Sequence, residues 1–223
     1  MLAHLDWISV LLTLKVAGTS TVVSAALGVA LAYLLSRREF PGRDWLDAAV
    51  ALPLVLPPTV LGYYLLVALG RNSWLGGTLR EVFGVTLVFT WQGAVAAAVV
   101  VSTPLVFKSA RAAFDAVDRN LENAARTLGT NELAVFARVS LPLAWRGVAA
   151  GAMLAFARGM GEFGATLMIA GNLPGRTQTL SLAVYEAVQA GDDTRAASLV
   201  VLTSVLCVLI LVLSGKMLRV GHG

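Results

Sequence analysis

The sequence is poor in the residues from which catalytic and metal centres are usually built. It has one cysteine, Cys207, and two histidines, His4 and His222, at opposite ends of the 223-residue chain. A single cysteine cannot form a disulfide within the chain, and a metal site needs more ligands than these residues supply. We therefore expect no metal, no bound cofactor and no catalytic residue here.

Charge is also scarce. Charged residues make up 13% of the sequence and hydrophobic residues 57%, and the mean hydropathy is +0.78. Because a soluble domain carries about a quarter charged residues, lipid must cover part of this chain. The net charge of +4 does not indicate nucleic acid, since the basic residues cluster in particular loops, as membrane topology requires.

A Walker A motif is missing. Gly215-Lys216 is followed by Met217 and lacks the upstream glycine of a phosphate-binding loop. We therefore expect any ATP hydrolysis to belong to another polypeptide.

Long apolar runs are present instead, and a membrane helix needs about 20 such residues. Five segments qualify, at about 12–35, 46–69, 91–107, 147–169 and 197–218. The predicted fold class is all-α: a polytopic integral membrane protein with about five transmembrane helices in a single domain over 1–223. An apolar segment at 82–89 is too short to span and is expected to be strand-like or interfacial.

The basic residues of the loops predict an orientation. One side carries Arg37, Arg38, Arg43, Lys108, Arg111, Arg119, Arg126, Arg138, Arg146, Lys216 and Arg219, and the other carries Arg71, Arg80, Arg176 and Arg195. The positive-inside rule places a loop at about 108–146 and the C-terminus in the cytoplasm. It places the N-terminus and a loop at about 171–195, with a short helix at 182–188, outside.

The cytoplasmic loop contains a short amphipathic pattern. Its apolar residues at i, i+3, i+4 and i+7 are Leu121, Ala124, Ala125 and Leu128, which predicts a helix. Asp118 can cap its start and Gly129 its end. A second short helix capped by Thr130 or Asn131 follows, with Leu133, Phe136 and Val139 on its inner side. The helix could lie on the membrane surface, but its narrow alanine-rich face without tryptophan or phenylalanine favours docking into a protein cleft.

This loop resembles the EAA loop of ABC-importer permeases of the type I kind. That pattern is Glu-Ala-Ala, three residues, Gly, nine residues and Ile-x-Leu-Pro; here it reads Asn123-Ala124-Ala125, Gly129 and Val139-Ser140-Leu141-Pro142 at the same spacing. Asn123 and Val139 depart from it, although Glu122 lies beside the first. The resemblance implies a coupling helix that contacts a cytoplasmic ATPase, through Leu121, Glu122, Asn123, Ala124, Ala125, Arg126, Leu128, Gly129, Leu141 and Pro142.

Three other stretches resemble the molybdate permeases, which are related to sulfate permeases. They are Leu52 to Gly62, Arg158 to Ala165 and Ala170 to Thr179. Five spans are too few to enclose a gated pore, so we expect a homodimer with the path at its two-fold axis. The resemblance implies a location in the bacterial inner membrane, with two ATPase copies and a periplasmic or lipid-anchored molybdate-binding protein as partners and no nucleic acid. Permeases for sulfate, thiosulfate or tungstate, a stand-alone secondary transporter and an intramembrane enzyme are the alternatives.

Prolines and charges inside the spans suggest a translocation path. Pro53, Pro57 and Pro58 disturb the second span, and they indicate either a gate or a static kink. Arg158 and Glu162 share a helix face, and they indicate either an anion path or a structural ion pair. The candidate path residues are Pro57, Pro58, Arg158, Glu162 and Phe163.

Two further patterns concern packing and the outer loop. Small residues recur every four positions in the first and fourth spans, which permits close helix approach; they are Ser20, Ser24, Gly28, Ala32, Gly147, Gly151, Ala155 and Gly159. The polar outer loop is either an ordinary solvated loop or a contact for the binding protein through Asn172, Arg176, Thr177 and Gln178.

Overall fold

Helices form the architecture of the chain. The structure, a computed structural model, describes residues 7–71 and 73–219, so that His4 and His222 lie outside the described residues. Its helices are α1 (Trp7–Arg37), α2 (Arg43–Ala51), α3 (Pro58–Leu69), α4 (Trp74–Phe83), α5 (Trp91–Asp115), α6 (Arg119–Thr127), α7 (Glu132–Val135), α8 (Leu141–Met160), α9 (Gly164–Ala170), α10 (Leu180–Gln189) and α11 (Asp193–Arg219). A 3₁₀ turn, Leu52–Leu54, follows α2, and a π-helical turn, Phe136–Ser140, joins α7 to α8.

The predicted all-α membrane class is confirmed, since four described helices are long and apolar enough to cross a membrane and a bent pair makes a fifth. The second and fourth predicted spans are not continuous, however. The second turns through 110° between Leu54 and Pro58, because proline lacks the backbone donor that would continue the helix. The fourth ends at Met160 and restarts at Gly164.

Helices α1, α5 and α8 form the core of the subunit, and small residues let them approach closely. A Cβ atom on Gly28 would lie 2.9 Å from Cβ of Val106, and one on Gly151 would lie 2.9 Å from Cβ of Ser109. Ser20, Ser24 and Ala32 of the first predicted stripe are buried too, as are Gly151, Ala155 and Gly159 of the second. The prediction of close packing from this spacing is therefore confirmed.

Helix α10 closes the end of the bundle opposite α6. The Leu180 amide donates to Thr13 Oγ1 of α1 at 2.8 Å, and the buried side chains of α10 pack against α1 and α11. The predicted short helix at 182–188 is confirmed as the middle of α10. The segment 82–89 forms no strand: it ends α4 and then follows an irregular path to α5, with Phe89 at a φ of 59°.

Candidate functional site: the coupling segment and the helix breaks

The coupling segment, residues 118–129, folds as a capped helix. The Asp118 carboxylate accepts a hydrogen bond from the Asn120 amide at 2.9 Å, which confirms the predicted start of α6. Gly129 follows the helix at a φ of 81°, where glycine avoids the strain that other residues would meet, and this confirms the predicted end. The helix is therefore defined by its sequence at both ends.

Helix α6 has its apolar and charged sides reversed relative to an ordinary surface helix. Leu121 is 50% exposed and Leu128 is 85% exposed, whereas the carboxylate residue Glu122 is only 1% exposed. Asn123 and Ala124 are exposed beside the two leucines. The described subunit thus leaves the apolar side of this helix uncovered.

Glu122 faces the interior of its own subunit, which corrects the prediction that it contacts another protein. Its Oε1 accepts hydrogen bonds from Arg37 Nε at 2.9 Å and Ser140 Oγ at 2.6 Å. Arg37 Nη2 lies 2.8 Å from the same oxygen. A carboxylate held in this way cannot replace the glutamate that is missing at Asn123.

Arg126 joins α6 to α7 across the turn that follows the coupling segment. It donates to the two oxygens of Glu132 at 2.7 and 3.1 Å and to Asn123 Oδ1 at 2.8 Å. The hydrogen bond to Glu132 raises the pKa of Arg126 above its ordinary value, so the guanidinium stays charged. This pair is exposed and fixes the orientation of the turn more than it stabilises the fold.

The start of α7 and the end of the loop differ in part from prediction. Asn131 caps α7 by accepting from the Ala134 amide at 2.9 Å, as predicted. Leu133, predicted to face inward, is exposed, whereas Val135 is buried and Phe136 packs against the apolar cluster as predicted. Leu133 and Val135 lie two residues apart, so they point to nearly opposite sides of the helix. Leu141 packs into the apolar cluster at this end of the bundle, so it supports the segment from within. Pro142 is exposed.

The two broken spans contact each other at the points where they restart. A Cβ on Gly164, the first residue of α9, would lie 2.8 Å from Cβ of Pro58, the first residue of α3. Pro57 and Pro58 are exposed on this chain. Irregular backbone at membrane depth is tolerated where it is covered by protein or lines an aqueous cavity. The structure therefore brings the two predicted path elements together.

Glu162 supports the second break. Its Oε1 accepts from the Ala165 amide at 2.9 Å, and its Oε2 lies 2.8 Å from Arg158 Nη2. The Glu162 side chain is buried, whereas a third of the Arg158 side chain is exposed. Phe163 packs on Tyr185 with ring centroids 5.0 Å apart. The carboxylate thus has a structural role, while Arg158 keeps an open side.

The loop between α9 and α10 is held from within. Thr177 donates to the Gly171 carbonyl and accepts from the Leu173 amide, and Gln178 donates to Glu186. Thr177 and Gln178 are buried inside the subunit, so neither can reach a partner in this arrangement, contrary to the prediction. Asn172 is half-buried and Arg176 is exposed.

Arg176 lines a cavity of about 1020 Å³ at the end of the bundle opposite α6. Arg71 lines the same cavity, and the described residues of its wall include no carboxylate. Phe89, in its left-handed conformation, packs close to Gly171 at the edge of this wall. The cavity is therefore positively charged, a property that attracts anionic groups.

Sequence reasoning missed three of these residues. Arg37 and Arg71 counted only as topological charges, and Ser140 only as the variable position of a motif. Their partners are far away in sequence, so spacing gives no signal for them. For Arg37, its place in the last turn of a long span is the one available hint.

The chain belongs to the family of binding-protein-dependent transport system inner membrane components, which matches residues 24–219. It is accordingly a multi-pass membrane transport subunit without catalytic activity of its own, and it works with an ATPase and a substrate-binding protein.

Individual relatives of the chain are permeases of molybdenum and sulfate transport systems. The chain is 44% identical over 218 residues to the molybdenum transport system permease protein ModB of Escherichia coli (strain K12), covering 97% of this chain and 95% of that protein. It is 43% identical over 204 residues to ModB of Haemophilus influenzae, covering 91% and 89%. A probable sulfate transport system permease of Chlorella vulgaris is 36% identical over 182 residues, covering 82% and 68%.

Solved structures share the fold. A bacterial ABC transporter for the import of alginate matches with a TM-score of 0.79 at 14% identity, covering all of this chain and 82% of that one. The inward-facing MetNI methionine ABC transporter matches with a TM-score of 0.74 at 20% identity, covering 99% of both chains. At these identities the likeness is one of fold, and it confirms the permease fold of an ABC importer.

Proposed function

We propose that this chain is the membrane permease of an ATP-driven molybdate importer and that it works as a homodimer. The molybdenum permeases are more similar to it, over more of its length, than the sulfate permease of Chlorella vulgaris. The same architecture would serve sulfate, thiosulfate or tungstate, and the relation to the sulfate permease keeps sulfate as the second candidate.

The observation that carries the coupling part of the proposal is the reversed face of α6. Leu121 and Leu128 are exposed, whereas the one carboxylate of the helix, Glu122, is buried. Burying one leucine side chain contributes about 1.5–3 kcal/mol, so two of them favour association with a groove of matching shape. The occupant we propose is the cytoplasmic ATPase, two copies of which would bind one permease dimer.

The uncovered surfaces of the spans support a homodimer. Within the described part of α11 only a small share of the membrane window is buried, and Val201, Val205 and Val212 are exposed. The bend that carries Val55 and Pro57 is exposed too. A second copy would cover the bend and place the two sets of helix breaks around a common path, with lipid on the remaining faces.

The path we propose runs past the adjoining breaks. Arg158 offers a charged and partly open guanidinium there, while Glu162 fixes it. Pro57, Pro58 and Phe163 form the surrounding wall. An intramembrane arginine is costly to maintain and favours passage of an anion, since its charge offsets that of the oxyanion.

The positive cavity with Arg71 and Arg176 supports an outer entrance that meets the binding protein. With this cavity on the outer side, α6 and the C-terminus lie in the cytoplasm and the N-terminus lies outside, in agreement with the distribution of basic residues. Asn172 and Arg176 are the residues of the predicted docking set that remain accessible.

Co-purification followed by uptake tests the proposal. The tagged permease should retain an ATPase subunit and a binding protein, and vesicles with this complex should accumulate labelled molybdate only with internal ATP. Sulfate and tungstate are offered in parallel arms. Preferential uptake of sulfate would identify the second candidate, and transport by the permease alone would establish a secondary transporter and contradict the proposal.

A further inference from the structure

The Glu122 carboxylate attaches the coupling segment to the rest of the subunit. It is the buried residue of α6, and its donors belong to two other elements. Arg37 stands at the end of α1 and donates from Nε at 2.9 Å. Ser140 stands directly before α8 and donates at 2.6 Å. One side chain therefore connects α6 to two membrane spans.

The same cluster reaches α5. Arg37 Nη1 donates to Ser36 Oγ at 3.0 Å, and Ser36 Oγ donates in turn to Asp115 Oδ1 at 2.5 Å. Arg119, at the start of α6, donates to the Ser36 carbonyl at 3.0 Å. The ends of α1, α5 and α8 thus converge on the inner side of the coupling segment.

Apolar packing provides little of this attachment. The leucines of α6 face outward, and Ala125 is the half-buried apolar residue between them. An ion pair with two guanidinium nitrogens on one carboxylate fixes direction and register, which sliding apolar contacts do not. Because a buried ion pair adds little stability beyond an apolar pair of the same volume, directional attachment is the property that distinguishes it.

We infer that Glu122 is a positioning residue for energy coupling. A force applied by the ATPase to the exposed face of α6 passes through Glu122 to Arg37 and Ser140, and so moves α1 and α8 together with α6. This inference rests on the proposed function. When the attachment is removed, the ATPase still binds the outer face of α6, but its motion is no longer delivered to the spans.

Glu122→Gln tests the inference, and Glu132→Gln is its matched control. Both variants remove one carboxylate of the same loop, but Glu132 is exposed and forms its ion pair with Arg126 of α6 rather than with the end of a membrane span. Complexes with the ATPase and the binding protein are reconstituted, and oxyanion transported per ATP hydrolysed is measured together with ATPase retention and thermal unfolding. We expect the ratio to fall by about tenfold or more in Glu122→Gln and by less than about twofold in the control, with the ATPase retained in both.

A double variant covers the case in which Glu122→Gln does not fold because it leaves the largely buried Arg37 without an opposite charge. Arg37→Met with Glu122→Leu removes both charges and keeps the volume filled, a replacement that buried ion pairs commonly tolerate. We expect this variant to fold, bind the ATPase and remain uncoupled. If transport per ATP returns with the fold, or if Glu122→Gln folds and couples normally, the inference is overturned and the pair is only structural.

Measurements on the wild-type complex distinguish a failure of the proposed function from a failure of the positioning role alone. If it does not retain an ATPase, or transports without ATP, the proposed function is wrong. If it couples normally and the Glu122 variants do too, the positioning role alone is wrong.

Discussion

Several side chains in this protein are exposed or buried contrary to what their polarity would suggest. In α6, leucines are exposed and a glutamate is buried; in the fourth predicted span, Glu162 is buried while its partner Arg158 remains partly open. Both buried carboxylates have an arginine within 2.8 Å. Under the proposed function each reversal has an explanation: the ATPase would cover the leucines, and Arg158 would face the translocation path.

The exposed leucines permit a prediction about binding without a change in folding. Leu128→Asp should leave the thermal unfolding temperature of the permease nearly unchanged, because the side chain is exposed. It should weaken ATPase binding by about 2 kcal/mol, or about thirtyfold, since that leucine would be buried on docking. Leu128→Met is the control and should bind normally. Equal affinity in the two variants would show that the ATPase does not cover this face.

Arg158 can be separated from its structural role by removing its partner as well. Arg158→Leu should lower the free energy of unfolding by about 3–5 kcal/mol, because it leaves Glu162 buried and unpaired. Arg158→Leu with Glu162→Gln should recover most of that stability. We expect uptake to stay slow in the double variant, measured with labelled oxyanion in proteoliposomes. Recovery of uptake together with stability would assign the arginine to structure alone.

Helices and their ends follow local rules in some places and long-range contacts in others. The limits of α6 follow from Asp118 and Gly129, so sequence alone predicts them, whereas α10 extends beyond the predicted 182–188 at both ends. The bend before Pro58 was expected as a disturbance, but its angle of 110° depends on packing of α3 against α9. The break at 161–163 contains Gly161 and Glu162, residues that permit an interruption but do not require one, so a search for long apolar spans runs through it.

Long-range pairing explains what else the sequence could not reveal. Arg37 lies 85 residues from Glu122, and Ser140 lies 18 residues from it. Motif spacing correctly locates the coupling helix, but it does not tell which of two adjacent residues, Glu122 or Asn123, faces inward. That choice depends on the angle at which α6 leaves α5, and this angle is a property of the folded bundle.

A substitution at Gly129 tests whether the C-terminal end of α6 is needed for coupling. Gly129→Val places a β-branched residue at a φ of 81°, which costs about 1–3 kcal/mol of local strain and should unravel the last turn of α6. We expect assembly of the spans to persist and substrate-stimulated ATPase activity to be lost, measured on the reconstituted complex. Gly18→Ala is the control, because a Cβ there meets nothing within 4 Å. Normal stimulation in Gly129→Val would show that the end of α6 is not needed for coupling.

The subunit has a closely packed core, but apolar side chains and irregular backbone remain uncovered on its outer surface. Helices α1, α5 and α8 contact each other through glycines and serines, whereas α2 buries no residue and α11 buries few. Apolar surface on a membrane protein can face lipid, but the exposed bend beside Pro57 carries irregular backbone, which lipid does not satisfy. The proposed second copy would cover that face.

The proposed dimer predicts a subunit stoichiometry that native mass spectrometry can measure. The complex purified in mild detergent should contain two permease chains and two ATPase chains. Replacing Val55 with lysine at the exposed bend should convert it to species with one permease chain, because a charge there opposes burial against the second copy. Val188→Lys, an exposed apolar position on α10, is the control. A single permease chain in the wild-type complex would contradict the dimer.

The adjoining breaks at Pro58 and Gly164 interrupt two helices at one place, where bending costs few backbone hydrogen bonds. Both helical ladders are already interrupted there, so α8 can swing relative to α9, and α2 relative to α3, without unwinding any turn. Helix α8 is about 30 Å long, so a rotation of about 10° at residues 161–163 displaces its far end by about 5 Å. A small step at the ATPase would thus become a change in which side of the membrane the path faces.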